Sequence, residues 1–288
     1  MSSARRGIFT IGIAVVVLLA TAGTSQAALI AISNGDFNTS LQTYTNANGA
    51  DLGGGWTRLA GTGTAVYAGI DTINTGLYSV MGSASGNKLI MQYQASSNAA
   101  KKSYVKSPML GNAAGTTELL IQANTTYTIT VAVGNMTGTG FTGTLGSDNM
   151  TRNGIELLLD GSARAIRRID GFSVPDAAAA AKTPDNGGTD GTWQDYTLTF
   201  TTDALGNVLS SNGSAGFTGY SLPAFVGENI LGKAMRIEFR TEAFNLTKQN
   251  VEFDNVRIDV ASTIVPEPAT MSLLVLGGVA ALLRKRRN

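Results

Sequence analysis

The sequence predicts an all-β protein: a single antiparallel β-sandwich over residues 28–264, with a short segment of different character at each end. Three observations carry this prediction. Several runs alternate apolar and polar residues with period two, the pattern of a strand with one buried face. Long amphipathic helical patterns are missing. The stretches between the alternating runs are rich in glycine, serine, threonine and asparagine, the residues of turns and surface loops.

Residues 88–94 form one strand candidate. Further along, Tyr127, Ile129, Val131 and Val133 point one way, with Thr128, Thr130 and Ala132 between them. Residues 155–160 close in Asp160-Gly161, a pair suited to a tight hairpin turn. Tyr196, Leu198 and Phe200 alternate with threonines, and Met235, Ile237 and Phe239 alternate with Arg236, Glu238 and Arg240. The one helical candidate is the alanine run at 176–182, placed in a loop after Pro175. Stretches 47–55, 134–146, 185–191 and 206–219 read as turns and loops, because strand patterns resume on both sides. No internal repeat is visible, so one domain is expected. In the closing run, Val251 and Phe253 share one parity while Val256, Ile258 and Val260 share the other. Keeping that apolar face inward requires an extra residue near Asp254-Asn255, which predicts a β-bulge.

Composition narrows the chemistry. The 288 residues include no histidine and no cysteine, which excludes histidine-based nucleophile systems, thiolate or imidazole metal sites, and disulfides. The formal charge of +1 conceals an asymmetry, because Arg5, Arg6, Arg284, Lys285, Arg286 and Arg287 lie at the ends. Without those six of the 21 basic residues, and without Glu267 among the 20 acidic ones, the body holds 15 against 19, or −4. An acidic body argues against nucleic-acid binding.

Both ends read as addresses. Arg5 and Arg6 precede an apolar run at 8–20, and Ser25-Gln26-Ala27 supplies small residues before a cut after Ala27. Residues 1–27 are therefore expected to be a secretory signal peptide, and the apolar run suits the general secretory route better than the twin-arginine one. At the other end, Val265-Pro266-Glu267-Pro268 is followed by the apolar segment 269–283 and then Arg284-Lys285-Arg286-Arg287. At 1.5 Å per residue that segment spans about 22 Å of a ~30 Å hydrocarbon core, so it holds the membrane only transiently. The basic cluster keeps that end cytoplasmic. Residues 265–288 resemble the PEP-CTERM sorting signal of Gram-negative bacteria, with Pro266, Glu267 and Pro268 as the motif. The resemblance implies an exosortase-type processing enzyme as partner. It also implies an exopolysaccharide-rich envelope, with the cell surface or extracellular matrix as destination.

The body carries a second likeness. Ile32-Ser33-Asn34-Gly35-Asp36-Phe37-Asn38, Thr125 through Gly134, Trp193 through Phe200, and Phe253-Asp254-Asn255-Val256-Arg257-Ile258 follow one another in that order. They resemble the galactose-binding-like jelly rolls that include many carbohydrate-binding modules. That resemblance implies a jelly roll and a structural calcium shared by the first and last strands, with Asp36 and Asp254 at the matching positions. Asn38 stands where the family has glutamate. If the two segments meet, the ends of the domain are expected to form one edge of the sandwich. The alternative to a metal is an Asp254 that simply accepts backbone hydrogen bonds.

Sugar recognition requires aromatic planes beside hydrogen-bonding groups. Trp56 and Tyr93 are the leading candidates, with Tyr67, Tyr78 and Tyr104 behind them; the competing reading places Trp56 and several tyrosines in the core. Trp193, at the start of a regular strand, is expected to pack. A glycosidase would need two carboxylates about 5–10 Å apart, and Glu118, Glu156, Asp195 and Glu238 offer no spacing that singles out a pair. Glu238, opposite the apolar parity of its strand, is expected to be solvated. The glycine-rich stretches do not follow the strand-to-helix pattern of a phosphate loop. Of the six Asn-x-Ser/Thr sequons, chance accounts for most in a chain this rich in asparagine and threonine, and the motif does not establish modification. The expected function is non-enzymatic: an exported surface or matrix protein, structural or adhesive. A carbohydrate-binding module is the alternative and a carboxylate glycosidase the third reading.

Overall fold

Among the described residues every regular element is a strand, and no helix is long and apolar enough to cross a membrane. The computed structural model describes residues 27–38, 42–59, 66–72, 78–80, 83–94, 101–135, 151–169, 191–217, 220–243 and 248–263. The expected signal peptide up to residue 26, the alanine run at 176–182, the sorting motif, the apolar segment 269–283 and the side chains of Tyr78 and Tyr93 lie outside what is described.

In chain order the strands are β1 (Ala28–Ile30), β2 (Gln42–Thr45), β3 (Thr57–Leu59), β4 (Val66–Thr72), β5 (Tyr78–Val80) and β6 (Asn87–Gln94). There follow β7 (Lys101–Lys106), β8 (Leu119–Leu120), β9 (Thr125–Asn135), β10 (Thr151–Leu159), β11 (Ser162–Arg168) and β12 (Gly191–Thr202). The last are β13 (Val208–Ser211), β14 (Gly216–Phe217), β15 (Tyr220–Ser221), β16 (Ala234–Ala243) and β17 (Lys248–Ser262). One sheet runs β13-β12-β9-β17-β6-β4-β2, with β1 added to β17 and β5 to β12. The other runs β11-β10-β16-β7-β3, with β8 on β16. A separate ribbon pairs β14 with β15. Pairing is antiparallel throughout except for the short β5–β12 contact.

The inner faces share one core. Tyr127, Ile129, Val131 and Val133 of β9 meet Tyr196, Leu198 and Phe200 of β12 there. The second sheet contributes Ile155, Leu157 and Leu159 of β10, and Met235, Ile237 and Phe239 of β16. Phe239 stacks on Phe253 of β17 at 4.2 Å between ring centroids, so the two sheets face each other across this core. The β10–β11 turn has Asp160 at φ 48° and Gly161 at φ 76°, the left-handed pair that a two-residue hairpin turn demands.

Two expectations are corrected. The stretch 206–219 contains β13 and β14, which were hidden in the sequence because each is too short to show alternation. The closing strand is central rather than at an edge: β9 lines one side of β17, while β6 and then β1 line the other. The ends of the domain do meet, but they meet in the middle of a sheet. Part of this sheet's outer face is buried as well. Lys88 and Ile90 of β6, Glu252 and Asp254 of β17, and Ala132 of β9 are all covered, and Trp193 lies over Gly134 beside them.

Candidate functional site

The opening segment and the bulge of β17 build one junction. The register of β17 against β9 shifts between Asp254 and Arg257, with Asn255 left-handed at φ 47°, as the parity switch predicts. Val256 N–H donates to Gly35 C=O at 2.8 Å, and a Cβ at position 35 would sit 2.8 Å from Val256 C=O, so the approach requires glycine. Phe37 is left-handed at φ 52°, a costly conformation for a bulky residue. Its fully buried ring, tilted against Trp56 at 5.1 Å, holds it there.

Asp254 is fully buried. Its Oδ2 accepts Ser85 N–H at 2.7 Å, whereas its Oδ1 has no hydrogen-bond partner. Burial pushes this carboxyl up to about 7; backbone N–H groups of Ser85 and Asn255 pull it down, and the charge of Asp36 pushes it up again. Asp36 itself accepts from the backbone N–H and carboxamide of Asn38 at 3.3 and 3.1 Å. Asn38 Oδ1 in turn accepts Asn87 N–H at 2.8 Å, so Asn38 ties the opening loop to β6. Among the described residues no three acidic side chains converge as a metal cluster. The donor chemistry is nonetheless all oxygen, as calcium requires, and the unpaired Asp254 Oδ1 is the atom an ion would satisfy. Asp36 and Asp254 would hold it, with backbone carbonyls supplying further ligands.

A second cluster lies on the outer face of the second sheet. Register aligns Ile166, Glu156, Glu238, Lys106 and Thr57 in one row across five strands, and Arg168, Gly154, Arg240, Tyr104 and Leu59 in the next. Glu156 is only 1% exposed; its Oε1 accepts Tyr220 O–H at 2.5 Å and Arg240 Nη1–H at 3.4 Å. The Arg240 guanidinium lies 3.6 Å from the ring centroid of Tyr220 and 5.1 Å from that of Tyr104. Glu238 is half-buried directly opposite Glu156 on the neighbouring strand, which corrects the expectation of a solvated side chain. Burial first, then the charge and hydrogen bond of Glu156, push it up to about 7, against the pull of Arg240 and Lys106.

Of the four carboxylates considered for glycosidase chemistry, the fold brings together Glu156 and Glu238. Register sets them directly opposite each other on neighbouring strands, but Glu156 is too buried to meet a glycosidic bond. Glu118 is engaged by Arg236 at 2.5 and 3.1 Å, and Asp195 by Arg257 at 2.7 Å and Ser83 at 2.5 Å. Trp56 is corrected as a sugar platform. It is fully buried, stacks on Phe239 at 5.4 Å, and donates its indole N–H to Ser33 C=O at 3.0 Å. Sequence reasoning did not single out Arg240 or Tyr220. The available signal was Glu156, the lone charge in an otherwise apolar run, which needs partners if buried.

Residues 265–287 match the PEP-CTERM protein-sorting motif. The chain ends in a PEP-CTERM sorting signal. With that signal the chain is exported and sorted at the membrane. Among solved structures, the chain is similar to a cyclase from Fischerella sp. TAU at 18% identity and a TM-score of 0.49, over 82% of this chain and 98% of that one. It is also similar to the family 11 carbohydrate-binding module of the Clostridium thermocellum cellulase Lic26A-Cel5E, at 10% identity and a TM-score of 0.33, over 76% and 95%. At these identities and TM-scores neither likeness says what this chain does. No curated protein matches the chain.

Proposed function

We propose that this PEP-CTERM protein is a non-enzymatic component of the cell surface or extracellular matrix of a Gram-negative bacterium. It is exported behind its N-terminal signal, and its body is a β-sandwich of jelly-roll type. The observation that carries this reading is the motif at 265–287, in which Pro266-Glu267-Pro268 precedes an apolar segment and a basic end. An apolar segment of about 22 Å parks the chain beside an exosortase-type processing enzyme without anchoring it for good. Replacing Pro266, Glu267 and Pro268 together with alanine is expected to leave an unprocessed, membrane-retained form in the native host. An unchanged mature mass and location would remove the reading.

Binding of a polysaccharide is the second reading, supported by the partly exposed Tyr104 among charged groups on the outer face of the second sheet. On a glycan array the mature protein is then expected to show saturable binding that Tyr104→Ala weakens at least about tenfold, the scale of a lost ring contact. Binding that Tyr104→Ala leaves intact would place any glycan elsewhere.

A further inference from the structure

Among the described residues six large apolar side chains stand exposed, and five of them, Leu120, Leu205, Leu209, Val226 and Leu231, lie on three segments laced together towards one end of the sandwich. They are 50% to 69% exposed, with Leu205 the highest. Val208 N–H donates to Glu228 C=O and Ile230 N–H to Gly206 C=O, both at 2.9 Å, which joins the first segment to the second. A Cβ on Gly206 would stand 2.5 Å from that of Leu231, so Leu231 lies directly against the turn that carries Leu205. Gly232 N–H donates to Ile121 C=O at 2.9 Å, and Ile121 N–H to Lys233 C=O at 3.0 Å, which brings Leu120 to the same end.

The backbone of the turn at 203–207 is satisfied from within. Asp203 Oδ1 accepts the N–H groups of Leu205 and Asn207, both at 2.8 Å, and Gly206 N–H donates to Asp203 C=O at 3.1 Å. The Asn229 carboxamide donates to Leu205 C=O at 2.7 Å. With these groups already paired, taking the turn out of water forfeits few hydrogen bonds, while its leucine gains. The chain also leaves the fold here: Asn124 N–H donates to Asp203 C=O at 2.8 Å, and Thr263 N–H to Asn124 C=O at 2.6 Å. From Thr263 the apolar segment begins six residues on, at Ala269, a span of at most about 20 Å.

We propose that this aliphatic end of the sandwich docks on the lipid surface of the membrane that the segment 269–283 enters, and that it holds the body against the bilayer until processing. The proposal rests on the sorting reading above. The length of chain after Thr263 favours lipid over a second copy as the occupant. Whatever angle the body takes, the end that holds Thr263 stays within about 20 Å of the point where the apolar segment enters, and that end carries the exposed leucines. A single marginal membrane contact is reversible, whereas two contacts on one chain reinforce each other through effective concentration. Here the short apolar segment is one contact and the leucine patch the other. Cutting the segment away removes one of the two and frees the body.

The sequence has no cysteine, so one introduced cysteine carries a fluorescent probe to a single position. The test uses the chain as exported, with 265–288 in place, on vesicles of phosphatidylethanolamine and phosphatidylglycerol. Ala204→Cys puts the probe on an exposed residue beside Leu205; Gln194→Cys puts it on an exposed residue of β12, eight positions before Thr202. Flotation with the vesicles reports the apolar segment, and quenching by spin-labelled lipid reports contact of the probe with the bilayer. The expected result is a chain that floats, with the probe quenched at 204 and not at 194. Adding Leu205→Asn and Leu231→Asn is expected to lower the docked-to-free ratio read at 204 about tenfold or more, with flotation and melting temperature unchanged. A chain that fails to float overturns the sorting reading and this proposal with it. A floating chain quenched no more at 204 than at 194 overturns the proposal alone. So does a probe shielded from water but not quenched by lipid, the mark of a second copy on the patch, or quenching that the two leucine replacements leave intact.

Discussion

Lys88→Met is expected to cost about 3–5 kcal/mol of stability, because it leaves a buried carboxylate without its ion-pair partner. Lys88 Nζ lies 2.9 Å from Glu252 Oε1, with the two side chains 2% and 0% exposed. Desolvating both groups absorbs much of their attraction, so the intact pair adds little net stability; removing one half exposes the whole penalty. The double variant Lys88→Met, Glu252→Leu is accordingly expected to recover most of the loss. Urea melts of the wild type, both single variants and the double variant form a complete cycle. Single variants as stable as the wild type would mean that water reaches the pair.

Calcium is expected to raise the melting temperature at neutral pH, and the effect should disappear in Asp254→Asn. The argument rests on how Asp254 is housed. A carboxyl raised from 3.8 to about 7 in the folded state binds its proton more tightly folded than unfolded. Without an ion, stability should therefore fall as pH rises from about 4 to about 7, by an amount on the order of 4 kcal/mol, and stay low above that. An ion on the unpaired Oδ1 would stabilise the charged form and flatten that slope. In chelator above the midpoint, Asp254→Asn should melt higher than the wild type, since the carboxamide carries no charge to bury. In calcium the order should reverse. Identical wild-type melting curves in calcium and in chelator would leave Asp254 as a hydrogen-bonded residue without a metal.

What was legible in the sequence was whatever is written locally. Alternation in β9, β12 and β16 assigns their inner faces residue by residue, because side-chain direction in a strand depends only on parity. The parity switch between Phe253 and Val256 placed the bulge for the same reason. The sorting signal is linear and needs no folding to be read. Strand order is different in kind. Nothing near β17 says that it lies between β9 and β6, since those pairings join segments more than 100 residues apart. The cluster on the second sheet was illegible on the same ground. Glu156 and Glu238 become neighbours only through the register of β10 on β16, and Tyr220 arrives from a ribbon too short to leave a pattern. Trp56 has the composition of a binding residue and the position of a core one; only the packing of Phe37 and Phe239 against it distinguishes the two.

The central place of the closing strand has a mechanical consequence. Ala28 pairs with Val260, so the body's first and last strands lie side by side, and the chain leaves the fold at the end of a 15-residue strand held on both flanks. A pull along that strand from its C-terminal end loads the hydrogen bonds to β9, β6 and β1 in shear, so two flanks of bonds resist where an edge strand would have one. Resistance to such a load is set by the rate of unfolding rather than by equilibrium stability. A body built in this way can bear tension through the same end that carries its address.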